Sequence, residues 1–215
     1  FEIRISENLL PLSGKSDVHY YSDADVVSGI AFDYDKIGIA FGYRSVPPDD
    51  AIRKGSMDYF NLALNIGGVK WRLESSYRRY KGFYDANTAN YTPLFNDSTP
   101  YYHDGTMINE NIRFKFLYFL NHKKFVYKST YGSNYRQLKS AASWMLLGNL
   151  YFNGFGADSS LFPFPVRNFY GEFSDLNRLN VIGLSAGGGF SWNIIIVKRI
   201  FANLTLGAGI ESQWR

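Results

Sequence analysis

The chain reads as all-β, an antiparallel transmembrane β-barrel of about 10–12 strands with long loops on one side. Three observations predict this. Charge falls on every second strand residue: Val69, Trp71, Leu73, Ser75 and Tyr77 alternate with Lys70, Arg72, Glu74, Ser76 and Arg78. Side chains of a strand point alternately to opposite faces, so this segment has one greasy and one charged face. The apolar runs are about 9–13 residues long, above the five or six usual in soluble sheets and close to what a tilted strand needs to cross a bilayer. Connections also alternate between short turns and long polar loops, as in membrane barrels.

Taken in order, Phe1, Ile3 and Ile5 oppose Glu2, Arg4 and Ser6 in a first strand. A second, Asp25 to Tyr34, turns at Asp35-Lys36 into Ile37, Ile39, Phe41 and Tyr43, with Gly38, Ala40, Gly42 and Arg44 opposite. Pro47-Pro48 mark a loop, because proline cannot donate to a paired ladder. Phe60, Leu62, Leu64 and Ile66 alternate with polar or small residues, and Gly67-Gly68 forms a hairpin turn into the charged strand. Residues 81–106 are rich in Asn, Asp and Pro and read as a long loop. Ile112, Phe114, Phe116 and Tyr118 oppose Asn111, Arg113 and Lys115, and Asn121-His122-Lys123 turns them into a strand through Phe125, Tyr127 and Tyr131. Trp144, Leu146 and Leu150 mark the next strand, and 153–177 reads as irregular. Ile182 to Ile194 and Leu204 to Ile210 form a last hairpin through Val197-Lys198-Arg199. That turn falls on the side of the long loops unless 153–177 hides a strand near Leu161–Glu172 or a large excursion lies among the short turns.

At 215 residues the chain suits one barrel domain over 1–215. It ends at Trp214-Arg215 straight after a strand, so closing strands are expected beyond it. No run approaches the roughly 18 apolar residues of a spanning helix. The absence of cysteine excludes disulfides and thiolate chemistry, and no metal-ligand spacing, P-loop or dinucleotide motif occurs. Neither cofactor nor metal is expected. The net charge of +4 is spread through strands rather than gathered in an arm, which argues against nucleic acid. The strand-like N-terminus implies a leader already removed.

Period-two patterning does not say which face is enclosed. Arg or Lys facing lipid costs about 2–4 kcal/mol at the midplane, and the apolar rows carry none centrally. The opposite rows are rich in Gly, Ala, Ser and Asn, which suits a narrow lumen; Gly183, Gly187 and Gly189 are the sharpest example. The lumen is therefore expected to hold Arg4, Asp25, Asp33, Lys70, Arg72, Glu74, Arg78, Arg113, Lys115 and Lys128. Both signs occur, so neutralising pairs that fill the interior compete with a charged, anion-selecting eyelet. Open channels need markedly more strands than small barrels, which favours filling. Trp71, Tyr80, Trp144 and Trp192 are read as membrane-interface aromatics. Of three histidines, only His103, beside Asp104 and near Ser98, has hydrolase-like company, and sequence adjacency does not bring such groups together.

Asp58-Tyr59-Phe60, the block Ser76-Tyr77-Arg78-Arg79-Tyr80-Lys81-Gly82-Phe83-Tyr84, Lys139-Ser140-Ala141 with Leu147-Gly148, and Leu184-Ser185-Ala186-Gly187 resemble an uncharacterised family of outer-membrane β-barrels common in Bacteroidota, catalogued as a domain of unknown function. The resemblance implies a Gram-negative outer membrane and supplies no catalytic residue. The expected role is a non-enzymatic partner or scaffold in an envelope assembly. It would contact outer-membrane lipid, lipopolysaccharide and other outer-membrane proteins, with Arg78, Arg79 and Lys81 near lipopolysaccharide phosphates. The alternatives are a narrow anion-preferring pore, an outer-membrane hydrolase using loop residues, and a soluble ligand-binding barrel.

Overall fold

A computed structural model describes residues 2–5, 17–22, 27–45, 50–130, 135–197 and 200–215, with backbone alone for 2–5 and Val197. Among them ten strands join one sheet. They are β1 (Glu2–Ile5), β2 (Val18–Tyr21), β3 (Val27–Tyr34), β4 (Ile37–Arg44), β5 (Asp58–Gly67), β6 (Trp71–Asp85), β7 (His103–Phe119), β8 (Ala141–Gly156), β9 (Arg178–Val197) and β10 (Ile200–Trp214). From β3 to β10 each strand pairs antiparallel with the next; β1 pairs with β2, and β2 with the far end of β6. The all-β antiparallel expectation holds. Closure is not seen: among the described residues no ladder joins β3 to β10, and β3, β10 and β1 each pair on one side alone.

The register keeps the two faces distinct over the whole sheet. One row runs Asn65, Glu74, Lys115, Asn149, Ser185, Glu211. Its neighbour on the opposite face runs Phe32, Ile39, Leu64, Ser75, Phe114, Leu150, Leu184. The row ends at Ser212 on β10; the Ser75 hydroxyl within it donates to the Leu64 carbonyl at 2.9 Å. The apolar face is the open one: Phe114, Leu62 and Leu204 are 44%, 42% and 49% exposed. On the charged face the Arg72, Glu74 and Lys115 side chains are 14%, 30% and 44% exposed. This is the reverse of a soluble sandwich, which buries its apolar face.

Several local expectations need correction. No strand runs through Phe125 and Tyr127: residues 120–130 form turns and a 3-10 helix at Tyr127–Thr130, and Tyr131 lies outside the described residues. Local alternation there loses to burial, because Phe119 and Phe125 are fully enclosed in one cluster with Leu117 and Met145. Removing that strand restores the parity of the chain. The β3–β4, β5–β6, β7–β8 (the excursion after Phe119) and β9–β10 connections share one side; the β4–β5, β6–β7 and β8–β9 connections share the other. The excursion is the large segment on the short-turn side, and no strand lies in 157–177 among the described residues. The loop expected at 81–106 shrinks to 86–102, because β6 continues to Asp85 and β7 starts at His103. A glycine bulge permits that extension. Gly82 has φ 81°, breaks the β6–β7 register, and brings Tyr80 and Phe83 onto one cluster. The short strand β2 carries too few alternations to be read locally.

Candidate functional site

The charged face is layered along the strands. Reading only inward positions, β7 runs Met107, then Asn109, Asn111, Arg113 and Lys115, then Leu117 and Phe119. On β8 the same order is Phe155, then Asn153, Tyr151 and Asn149, then Leu147 and Met145. A polar layer thus lies between two apolar ones. The apolar layer on the short-turn side is Leu117, Phe119, Phe125 and Met145, with Tyr127 and Leu147 packed on it. Its excursion crosses the sheet. Asn193 on β9 donates to the Val126 carbonyl at 3.1 Å, and the Tyr135 hydroxyl donates to Asp35 in the β3–β4 turn at 2.7 Å. In a flat sheet β9 and β4 would stand about 24 Å apart, so the sheet bends around this segment.

The apolar layer on the loop side gathers Val18, Tyr20, Phe83, Met107, Phe155, Leu161, Phe162, Val166 and Tyr170. The Tyr20 hydroxyl donates to the Leu161 carbonyl at 2.5 Å, tying β2 to loop 157–177. Asp85, fully buried at the far end of β6, organises the rim. Its carboxylate accepts from the His19 and Asn87 amides at 2.8 and 2.9 Å and from the Tyr91 hydroxyl at 2.8 Å. Burial pushes Asp85 above the usual carboxylate range, against the three hydrogen bonds that pull it down. Burial likewise raises Tyr91, helped by the Asp85 charge.

Between these layers lies a cavity of about 410 Å³ lined by β5, β6 and β7. Glu74 bridges two cations, Arg72 on its own strand and Lys115 directly across at 3.4 Å. Arg113 stands over the Tyr151 ring at 5.9 Å, and the Tyr151 hydroxyl donates to Glu211 at 2.8 Å while accepting from Gln213 at 2.7 Å. Tyr151 reaches β10 only because its cross-strand partner is Gly183, where a Cβ would sit 2.2 Å from the ring. Arg78 and Arg113 are diagonal neighbours, since Arg78 faces Asn111 and Arg113 faces Ser76. Neither has a hydrogen bond or ion pair among the described residues.

Of the charged residues expected in the lumen, Arg72, Glu74, Arg78, Arg113 and Lys115 share this face. Asp33 joins them on β3, its carboxylate lying over Gly38. Lys70 does not: it sits in the β5–β6 turn ahead of β6, over the Tyr118 ring at 5.5 Å. Lys128 is buried in the 3-10 helix of the excursion, its Nζ without a hydrogen-bond partner and 4.5 Å from the Tyr135 ring. The Arg4 side chain and Asp25 lie outside the described residues. Trp71, Trp144 and Trp192 stand exposed on the apolar face toward the short-turn end, with Phe116 and Phe190 as ring partners of the first two. Tyr80, grouped with them by sequence, lines the cavity instead and pairs with Tyr59. Sequence reading missed Asp85 and the inward placement of Tyr151. An aspartate at a strand end and a tyrosine on a polar row were the available signals; Asp85 binds Asn87 and Tyr91 nearby but also the His19 amide 66 residues away, and Tyr151 binds Glu211 60 residues away.

The hydrolase candidates do not converge. His103 and Asp104 are consecutive strand residues and so point to opposite faces. The His103 Nδ1 lies 3.1 Å from the Tyr101 carbonyl, and Asp104 accepts from the Thr106 amide and hydroxyl. The Ser98 amide bonds Asn96. No group of three or more metal-ligating side chains occurs among the described residues.

No curated protein and no solved structure matches this chain. A family model described as a domain of unknown function (DUF4421) matches residues 2–214. The chain therefore belongs to that family.

Proposed function

We propose that this protein is an integral outer-membrane β-barrel with a filled lumen, acting as a non-enzymatic partner or scaffold subunit in an envelope assembly. The observation that carries the reading is the inverted sheet: a continuous apolar face open to the surroundings and a charged face turned onto a cavity. From Ile182 to Trp192 the apolar row of β9 spans ten residue steps, about 33 Å of strand. At a tilt of about 40° that row covers about 25 Å of height, the apolar band of membrane barrels. Trp71, Trp144 and Trp192 suit one interface. Toward the loop side, Arg79 and Lys81 follow Tyr77 on the outer row, where they suit lipid and lipopolysaccharide phosphates.

The two apolar layers set a filled lumen above an anion-preferring pore. An ion leaving the polar layer meets Phe119 and Phe125 on one side and Tyr20 and Phe83 on the other, all fully buried. The purified chain should enter detergent or vesicles rather than the aqueous phase, and its reconstituted form should give no steady conductance. Replacing Phe119 and Phe125 together by Ser should create a leak. Recovery of the chain in the aqueous phase without detergent refutes the membrane reading, and steady wild-type conductance refutes the filled lumen. Mild-detergent purification from the native envelope should retain a protein companion; isolation free of any companion refutes the scaffold role.

A further inference from the structure

We infer that the polar layer is a binding site for a phosphoryl dianion, gripped by Arg78 and Arg113 with Lys115 adding charge. The cavity of about 410 Å³ falls in the range of small-ligand sites. Its charged lining is Arg78, Arg113 and Lys115 against Glu74, a surplus of two positive charges. The acidic groups nearby are already used: Glu74 by Arg72 and Lys115, and Glu211 by Tyr151 and Gln213. That leaves Arg78 without an acidic partner and Arg113 with only the longer-range charge of Glu211 beyond the Tyr151 ring, the two guanidiniums lying on adjacent strands at a diagonal spacing of about 7–8 Å. Like charges so placed repel one another, and an oxyanion between them converts the repulsion into two forked contacts. A phosphomonoester carries about −1.5 to −2 at neutral pH and matches the surplus, whereas a monoanion leaves one charge over. Arg113 is exposed and the Lys115 side chain is 44% exposed, so a dissolved anion reaches the site. The inference rests on the cavity and not on the membrane reading.

The test is calorimetric titration of the full chain in nonionic detergent with inorganic phosphate, using chloride at equal ionic strength as the control. Saturable phosphate binding is expected, weakened at least about ten-fold by Arg78→Gln and by Arg113→Gln. Arg79→Gln, which removes the same charge from the opposite face, should leave it unchanged. Circular dichroism checks that the variants keep their strands. Should the Gln variants misfold, Arg78→Lys and Arg113→Lys carry the test, since they keep the charge but break the fork and should still weaken binding. Short-chain phosphatidic acid forms a second arm. Arg78- and Arg113-dependent binding of that lipid marks a headgroup as the source, and phosphate binding without it marks a soluble phosphoryl compound. Phosphate behaving like chloride, or binding unchanged in the interior variants, overturns the inference.

Discussion

Phe114→Arg separates a lipid-facing sheet from a water-facing one, provided it is compared with Ile108→Arg. Both positions lie on the outer row of β7, and Phe114 is level with Ser75 at the middle of the band while Ile108 is opposite Lys81 near the loop side. Six residues separate them, about 20 Å of strand and, at a tilt of about 40°, about 15 Å of depth. If the band is about 25 Å tall and Phe114 is central, Ile108 sits at its rim. Arginine then costs about 2–4 kcal/mol at Phe114 and about 0–1 kcal/mol at Ile108. A 3 kcal/mol loss changes the folding equilibrium by about 150-fold. Guanidinium unfolding in large unilamellar vesicles, followed by the fluorescence of the four tryptophans, reads the difference. Phe114→Ala and Ile108→Ala correct for the lost side chains. A water-exposed sheet has no depth axis, and its surface substitutions stay within about 0.5 kcal/mol. Corrected costs at the two positions agreeing within about 1 kcal/mol would refute the inverted-sheet reasoning.

Three further outcomes follow from single sites. Asp85→Ala strands two amides and a hydroxyl and should cost about 3 kcal/mol, with faster hydrogen exchange at the His19 and Asn87 amides; Asp85→Asn keeps an acceptor and should cost under about 1 kcal/mol. Because burial raises Asp85, the folded state holds its proton more tightly than the unfolded state does. Its stabilising contribution is full below the unfolded pKa near 3.9 and is lost as pH rises through the folded value. The stability difference between wild type and Asp85→Asn should therefore move in favour of wild type on acidification from neutral pH, and movement the other way contradicts the assignment. Gly82→Ala places a Cβ at a φ of 81° and 2.1 Å from the Ser56 carbonyl oxygen, and a lowered melting temperature corresponding to about 2 kcal/mol or more is expected. Lys128→Met should raise the unfolding midpoint, because desolvating its ammonium costs several kcal/mol while the Tyr135 ring returns about 2 kcal/mol; a lowered midpoint rules this out.

Period-two alternation made both faces of β4 to β7 legible, together with the row that carries Arg72, Glu74, Arg113 and Lys115, because neighbouring side chains of a strand cannot share a face. Alternation says nothing about what lies further along the same face. The inward row of β7 changes from Asn109–Lys115 to Leu117 and Phe119, and that change is visible once alternate residues are read as a string of their own. It is a second signal, with a period of layers rather than residues, and it marks where the lumen is filled. The false strand at Phe125 and Tyr127 arose because four alternating residues look the same whether they pair with a neighbour or fold back as a plug. Only parity exposes the error: one strand too many moves every later turn to the wrong side, as the Val197–Arg199 turn indicated. The His19 contact of Asp85, the Glu211 contact of Tyr151 and the pairing of the sheet edges are distant in sequence, and no local pattern encodes them. In a sheet with polar residues inside, the informative string is therefore the polar row, because its apolar interruptions show where the interior is sealed and leave Arg78 and Arg113 as surplus positive charge in the space between.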